Sequence, residues 1–426
     1  KYPFHADLTI EKAEKLPAPG AVKTKQEGRR FSLGNDLVEC VFRPDNGAAM
    51  TSLILKDRFT DQIVKDSASS SAAFVVSGSV PGLFWGKTFD VKSKKLPAGG
   101  MESVFTLKSP VGGRTLTERF RMEKDAAGFS AELTYTRLDD GKGKDSFRWH
   151  PELVVGGSME SGDAVFYPGK DGAVKVPLRG AGSGQSLPAS GRWTAIADTN
   201  DFLACIASFQ QDSDRPYIYD AAKFHTLELE NKPFSLKKGE KKDYAFSFHF
   251  VRGLSGVDAW EDLTALQILL PAGADQKNLA SFEVKAGTAF LTMQEVTLEA
   301  AILGENGEKL LSFAPQAGEL VYEKPFTGRF QGAFGKLPDG ACTVRIRASR
   351  KNGKTFTAER KIVFAGEKLA HLRKKAELLA EKIEARKDRT SRATYEKRIL
   401  LESLRRSIAL ADTAKAAEEI RALEEK

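Results

Sequence analysis

The chain has 426 residues, of which 41% are hydrophobic and 29% are charged. This balance is typical of a globular protein and excludes collagen-like and disordered chains, while the length predicts two or three domains. The formal net charge is +8, and half of this surplus lies in residues 366–426, where 16 Lys and Arg face 12 Asp and Glu. A surplus this thin, without aromatic and basic residues interleaved, argues against nucleic acid as the ligand.

No run approaches the roughly 20 apolar residues that a membrane-spanning helix needs, so we predict no membrane span. Residues 1–30 are polar and contain several prolines, which is typical of an arm laid over a domain. The chain begins at Lys1 without a signal-peptide pattern, as would a trimmed chain or a mature one whose signal has been removed. We expect a secreted or periplasmic protein, and a cytoplasmic location stays open.

From residue 31 onward, short apolar stretches recur between Gly, Asp, Asn and Pro clusters. They lie at 37–42, 49–55, 73–76, 104–107, 115–122 and 129–136. Many short strands with regular turn signals indicate a sandwich or barrel. The alternation of Tyr244, Phe246, Phe248 and Phe250 predicts a half-buried strand. We therefore predict one large β-sandwich over residues 31–255.

A second group of predicted strands follows a boundary. Trp260, Leu263 and Leu266 have helical spacing and precede Pro271 and Gly273, so we predict a linker with a short helical element over residues 256–275. Residues 276–365 then show strand patterns separated by the turn signals ENG, PDG and KNG. Their number and length predict a small immunoglobulin-like β-sandwich.

The composition changes to Ala, Glu, Lys, Leu and Arg after Gly366. Apolar residues recur there at heptad spacing on both sides of a polar break at 387–392. We predict an antiparallel helical hairpin over 366–426, with Thr390 or Ser391 capping its second helix. These helices could pack on each other, dock on the second sandwich, or bind a protein partner.

The cysteines and histidines give no metal-binding pattern. Cys40, Cys205 and Cys342 lie far apart in apolar runs, and we expect all three to be buried thiols. Four further histidines are scattered without ligand spacing, namely His5, His225, His249 and His371. The sequence also lacks a phosphate-binding Gly loop and a nucleophile elbow. We therefore predict neither a metal nor a cofactor.

The first predicted sandwich contains the segments FSLGNDLVECVF at 31–42, FRWHPEL at 147–153 and LELE at 227–230, and in this order they resemble the galactose mutarotase (aldose epimerase) superfamily. The resemblance also includes PDNGA at 44–48, SL at 52–53 and LKKGE at 236–240. The resemblance implies a mostly β fold: a large mutarotase-like β-supersandwich, followed here by the small sandwich and the helical hairpin.

The resemblance also implies positions for acid and base groups. In the epimerases the first of these later strands carries a general-acid histidine, which corresponds to His150, and the other carries a general-base glutamate, which corresponds to Glu228 or Glu230. Mutarotation needs such a pair on two strands around one pyranose. The epimerases carry another histidine where this chain has SGSVPGLFWG at 77–86, and this stretch contains none. For His150, Glu228 and Glu230, the alternative is a structural role on a strand.

Aromatic and polar side chains near these phrases could form the wall of a sugar site. The candidates are Trp85, Trp149, Trp193 and Arg148, and packing in the core is the alternative for each tryptophan. Because the acid and base set is incomplete, our leading hypothesis is a non-catalytic carbohydrate-binding protein of bacterial glycan handling. The alternatives are an aldose epimerase or related carbohydrate-active enzyme, and a structural module of an envelope assembly.

Overall fold

The computed structural model of this protein describes most of the chain in a series of ranges. These are residues 19–63, 76–77, 83–141, 143–146, 148–157, 163–210, 214–270, 281–332, 337, 340–351, 353–364, 366–385, 392–409 and 413–425.

The first part of the chain is built from short strands. Those described up to residue 122 are β1 (Lys23–Glu27), β2 (Arg30–Gly34), β3 (Val38–Arg43), β4 (Ala49–Leu55), β5 (Thr60–Asp61), β6 (Val76–Ser77), β7 (Phe89–Lys95), β8 (Met101–Leu107) and β9 (Arg114–Met122). Those up to residue 252 are β10 (Gly128–Arg137), β11 (Arg148–Trp149), β12 (Glu152–Leu153), β13 (Ala164–Gly169), β14 (Gly172–Pro177), β15 (Ser183–Ser186), β16 (Trp193–Asp198), β17 (Leu203–Phe209), β18 (Asp214–Asp220), β19 (His225–Asn231) and β20 (Lys241–Arg252). Residues 23–27 of the predicted N-terminal arm thus form β1, which pairs with β2.

The second part of the chain continues with strands and ends in helices. Its described strands are β21 (Ala259–Glu261), β22 (Thr264–Leu269), β23 (Ser281–Thr288), β24 (Gln294–Leu303), β25 (Lys309–Ser312), β26 (Gln316–Leu320), β27 (Phe326–Gln331), β28 (Gly340–Arg350) and β29 (Thr355–Phe364). Its helices are α1 (Gly366–Glu384), α2 (Arg392–Ala409) and α3 (Thr413–Glu425). The prediction of a mostly β chain with a helical C-terminal segment is confirmed.

The described strands form four sheets. The order is β1-β2-β3-β4-β5 in one sheet, β15-β18-β19-β11-β6 in another with β12 also on β19, and β21-β22-β23-β27 in a third. The longest sheet runs β25-β24-β28-β29-β14-β13-β16-β17-β20-β10-β9-β8-β7, with β26 also on β24. This long sheet belongs to both parts of the chain, because β14 of the first sandwich pairs with β29 of the second.

An aromatic core fills the first sandwich. The predicted alternation in β20 is confirmed, since Tyr244, Phe246, Phe248 and Phe250 are all buried. Phe248 stacks on Phe129 of the adjacent β10, with ring centroids 5.9 Å apart and planes 20° apart. Side chains at alternate positions share one face of a strand, so these four aromatic side chains of β20 all face the core. Phe and Tyr side chains bury the largest apolar areas and dominate such a core.

The first strands of the second sandwich lie where we predicted a helical linker, and that prediction is wrong. Trp260 lies in β21 and Leu266 in β22, which pair as a hairpin. Asp262 and Leu263 join them with positive φ angles of 49° and 59°, as in a two-residue hairpin turn. The apolar spacing reflects a strand, a turn and a second strand. Further on, β22 pairs with β23 on its other edge.

A tight backbone approach links the two sandwiches. Gly172 in β14 lies opposite Arg360 in β29, and it has a φ of +111°. A Cβ atom at this position would lie 2.5 Å from the carbonyl oxygen of Glu359. Only glycine accommodates both the φ angle and the contact. An ion pair between Lys361 and Asp171, 2.7 Å apart, lies beside this approach.

The C-terminal segment contains three helices rather than the predicted hairpin. The heptad residues do pack on each other, and Leu372, Leu401 and Leu404 are buried in a cluster made of helical residues. Ile420 of α3 joins the same cluster. Helix α3 begins at Thr413, and threonine is a poor helix former in the interior of a helix. The predicted caps Thr390 and Ser391 lie outside the described residues.

The three cysteines are free and buried, so the prediction of buried thiols is confirmed. In the described part of the chain, no helix is long and apolar enough to cross a membrane.

Candidate functional site

The pairing of strands β11, β12 and β19 places the predicted acid and base residues side by side. Leu227 and Leu229 of β19 point into the core, so Thr226, Glu228 and Glu230 lie on the opposite face of the sheet. The register sets Trp149 opposite Leu229 and Glu152 opposite Thr226. His150, between the two paired positions, therefore falls beside Glu228.

His150 lies between two buried carboxylates. Its Nδ1 is 3.1 Å from Oε1 of Glu228, and its Nε2 is 3.8 Å from Oε1 of Glu152. The hydroxyl of Thr226 donates a second hydrogen bond to Oε1 of Glu228, at 2.8 Å. The side chains of Glu228 and Glu152 are 3% and 6% exposed, whereas that of His150 is 33% exposed. The imidazole is thus the part of this cluster that solvent or a ligand reaches.

The electrostatics of this cluster favour a charged imidazole. Burial alone would lower the pKa of His150, but the carboxylates of Glu152 and Glu228 outweigh burial and raise it to about 9. His150 is therefore an imidazolium at neutral pH. It can present positive charge to a ligand, and it can donate a proton.

The contact between His150 and Glu228 constrains the chemistry. An acid and a base that act on one pyranose must reach two different ring atoms, so the sugar has to lie between them. In this structure the two groups touch, and the carboxylate instead orients the imidazole, as an acidic partner commonly does for histidine. Glu228 is thus placed as the positioning partner of His150.

Glu230 lies two residues further along β19 on the same face as Glu228. It is opposite Arg148 of β11 on one side and Arg215 of β18 on the other. It is half-buried, so its position leaves it closer to solvent than Glu228. The predicted residues His150, Arg148, Glu228 and Glu230 therefore come from paired strands of one sheet.

The sequence analysis missed two tyrosines on this face. Tyr217 of β18 lies opposite Glu228, and Tyr219 lies opposite Thr226, so both tyrosines share the face of these residues. Both are half-buried. Gly184 makes room for Tyr217, because a Cβ atom at Gly184 would lie 1.8 Å from the tyrosine hydroxyl oxygen. The alternating sequence Tyr-Ile-Tyr at 217–219 could have indicated this, because it places both tyrosines on one face of a strand.

We call the group made of His150, Glu152, Tyr217, Tyr219, Thr226 and Glu228 the His150 face. It combines a cationic imidazole, two carboxylates, a hydroxyl and two aromatic rings on adjacent strands.

The three predicted tryptophans do not lie together on this face. Trp149 is 1% exposed, and its ring lies 4.3 Å from that of Phe246 in the core. It has no exposed ring face to offer a sugar. Trp193 lies on β16, in the long sheet, and lines a different cleft. Trp85 is 37% exposed in the turn at 83–86, and no contact joins it to His150 in the described part of the chain.

A second histidine cluster has a structural character. His225 is 2% exposed at the start of β19, with its Nδ1 3.1 Å from Oδ1 of Asp220 and its Nε2 3.6 Å from Oδ2 of Asp163. The carboxylate of Asp220 also accepts backbone hydrogen bonds from residues 179–181. These bonds tie the loop before β15 to the end of β18. Elsewhere in the described ranges, no three His, Cys, Asp or Glu side chains are grouped as metal ligands would be.

Solved structures of similar shape include galactose mutarotase-like proteins. One such protein from Clostridium acetobutylicum matches with 10% identity and a TM-score of 0.43, covering 55% of this chain and 99% of its own. A galactose mutarotase related enzyme from Lactobacillus acidophilus matches with 10% identity and a TM-score of 0.41, covering 53% and 98%.

A TPR-domain containing protein from Parabacteroides distasonis is also similar, with 8% identity and a TM-score of 0.42. The match covers 55% of this chain and 48% of that protein, so it spans about half of that protein's length. No protein-family model matches the chain, and no curated protein matches it in sequence.

Proposed function

We propose that this protein binds carbohydrate on the His150 face without catalysing a reaction, as part of glycan handling by a bacterium outside the cytoplasm. The observation that carries this proposal is the His150–Glu228 contact on the same sheet face as Tyr217 and Tyr219. Sugar sites combine aromatic rings, which pack on the C–H faces of pyranoses, with a few fixed polar groups that bind hydroxyls. The His150 face supplies both kinds of group on neighbouring strands.

The absence of catalysis in this proposal follows from the same contact. Glu228 is committed to His150 and Thr226, which leaves no space for a pyranose between the proposed acid and base. The polar groups are fixed before any ligand arrives, and fixed groups lose little entropy on binding.

Calorimetric titration with a panel of mono- and oligosaccharides tests this function. We expect one or more sugars to bind, and we expect Glu228→Gln to weaken binding about tenfold, because one charge-assisted hydrogen bond contributes about 1.5–3 kcal/mol. Glu299→Gln is the matched control, since this glutamate is half exposed in the second sandwich and pairs with Arg347. Binding of no sugar, or equal effects of both variants, would contradict the proposal.

An aldose epimerase is the second candidate, and the raised pKa of His150 favours it. An imidazolium at neutral pH is the form that a general acid requires, and Glu230, two residues along β19 from the positioning partner Glu228, would then serve as the base. Polarimetry on common aldoses decides between the two functions. The enzyme hypothesis requires that the wild-type protein accelerates mutarotation and that His150→Ala abolishes this acceleration. Failure of either result would contradict it.

An assembly role is the third candidate, and the surface of α2 favours it. Tyr395 and Ile399 are 64% and 55% exposed one helical turn apart. This pair could contact a protein partner in an envelope complex. Analytical ultracentrifugation would show concentration-dependent association in the wild type, and replacing both residues by serine would abolish it. A monomer at all concentrations would remove support for self-assembly.

A further inference from the structure

A large cleft lies where the two sandwiches meet, away from the His150 face. Its volume is about 720 Å³, which falls within the range of about 300–1,000 Å³ typical of small-molecule sites. One wall comes from the first sandwich, namely the turn between β13 and β14 and the start of β16. The other wall comes from β21 and β29 of the second sandwich. We call this the joint cleft. Sites between domains are a common location for ligands.

The floor of the joint cleft is aromatic and rigid. Trp193, Trp260 and Phe209 contribute the small exposed parts of their rings, since each is less than 9% exposed. The indole N–H of Trp260 donates a hydrogen bond to the hydroxyl of Ser208 at 2.9 Å, which fixes the plane of this ring. An aromatic floor with fixed ring planes suits the C–H surface of a sugar.

The carboxylates of the joint cleft are neutralised by cations of the second sandwich. The pairs are Asp258 with Arg360 at 2.6 Å, Glu261 with Lys354 at 3.0 Å, Glu359 with Arg345 at 2.6 Å, and Asp262 in close contact with Arg350. These four acidic groups therefore contribute little net negative potential to the cleft.

The two basic residues of the cleft form no such ion pairs within the described ranges. Lys170 and Arg192 line the wall of the first sandwich, and neither makes an ion pair with another residue of the described ranges. The backbone carbonyl of Arg192 accepts a hydrogen bond from Phe209 at 2.9 Å, so its main chain is held while its guanidinium remains exposed. The charged groups of the cleft that form no ion pair within the described ranges are thus positive.

Close packing brings these two cations to the same rim. Pro168, at the start of the turn that carries Lys170, accepts backbone and hydroxyl hydrogen bonds from Ser190 at 2.7 and 3.0 Å. A Cβ atom at Gly191 would lie 2.7 Å from the ring of Pro168. The turn with Lys170 and the segment with Arg192 therefore lie against each other.

We infer that the joint cleft binds an acidic oligosaccharide, with the carboxylate of a uronate residue at Lys170 and Arg192 and the sugar rings over Trp193 and Trp260. The planar guanidinium of arginine can bind a carboxylate through two hydrogen bonds. The volume, the aromatic floor and the unpaired cations all meet this requirement. The inference concerns a site separate from the His150 face, and it stands or falls independently of the function proposed there.

Calorimetric titration of the full-length protein tests the inference with three probes: a galacturonate trisaccharide, a neutral glucose trisaccharide of the same length, and acetate. We expect the galacturonate trisaccharide to bind at least about tenfold more tightly than either of the others. Lys170→Ala and Arg192→Ala should each weaken its binding about tenfold, because each removes a charge-assisted contact. Both side chains are on the surface, and calorimetric unfolding checks that the variants are folded.

Two control variants separate this site from other effects. Lys241→Ala removes the same charge at an exposed position of β20 and should leave the affinity unchanged. Glu299→Gln changes an exposed carboxylate of the second sandwich that does not line the cleft and should also leave the affinity unchanged. The inference is overturned if the galacturonate trisaccharide binds no more tightly than the neutral one, if binding survives both cleft variants, or if either control variant removes it. If the wild-type protein binds the galacturonate trisaccharide but no neutral sugar, this result would instead count against the function proposed for the His150 face.

Discussion

Replacing Glu228 by glutamine should lower the pKa of His150 and weaken the pH dependence of stability that this histidine causes. In the wild type the pKa of His150 is raised from 6.5 to about 9 by two carboxylates acting against burial. Because the pKa is raised in the folded state, the stabilisation is complete below about pH 6.5 and is lost as the pH rises through about 9.

The magnitude follows from the geometry. A pKa difference of this size corresponds to about 3 kcal/mol, and solvent screening of a ring that is 33% exposed reduces the contribution to about 1–2 kcal/mol. An opposite charge within about 4–6 Å shifts a pKa by about 1–3, so loss of Glu228 should lower the pKa of His150 from about 9 towards its ordinary value. Glu152, at 3.8 Å from Nε2, would hold the remainder.

A pH titration of the His150 ring protons by NMR measures this directly, and chemical denaturation at pH 6 and pH 9 measures the stability difference. Glu230→Gln is the matched control, because it removes the same charge two residues along β19 and should change the pKa of His150 less. A wild-type pKa near 6.5, or equal shifts in the two variants, would refute the reasoning.

Three further predictions concern the fold. Phe248→Ala should lower the free energy of unfolding of the first sandwich by about 3–5 kcal/mol, because it leaves a cavity beside Phe129; a loss below about 1 kcal/mol in a denaturant titration would contradict this. Gly172→Ala should lower the calorimetric unfolding temperature more than Gly182→Ala, because both glycines have positive φ but only a Cβ at Gly172 meets backbone, 2.5 Å away; equal shifts would be inconsistent with a tight joint. Leu404→Ala, at a fully buried site, should cost about 2–5 kcal/mol and reduce the helical circular dichroism signal, whereas Ile399→Ala, which is 55% exposed, should change little; similar losses would argue against the three-helix core.

Local patterns in the sequence predicted much of the fold. The alternation around Phe246 gave β20 because one buried face imposes a period of two. The heptads gave α1 and α2 because helical neighbours recur every three to four residues. The same spacing at Trp260 and Leu266 led to the wrong prediction of a helical linker. There, a two-residue turn between two strands places apolar residues at intervals that match a helical period. Propensity cannot separate these cases over so few residues.

The site could be predicted only in part, because strand register is a long-range property. The resemblance implied His150 together with Glu228 or Glu230, but the direct contact of His150 with Glu228 depends on how β11 and β12 pair with β19. The same holds for Tyr217, which joins this face through the pairing of β18 with β19. The joint cleft could not be foreseen at all, since its two walls are formed by residues about 50–190 positions apart.

The close approach of β14 and β29 also covers a part of two sheet edges. An exposed sheet edge offers unpaired N–H and C=O groups to strands of other molecules. At Gly172 and Arg360 each sandwich instead offers its edge to the other, and the adjacent Lys361–Asp171 ion pair places charge on the flank of the same junction. Splitting the chain between the two sandwiches would uncover both edges at once, so the covalent connection between them serves solubility as well as the shape of the cleft.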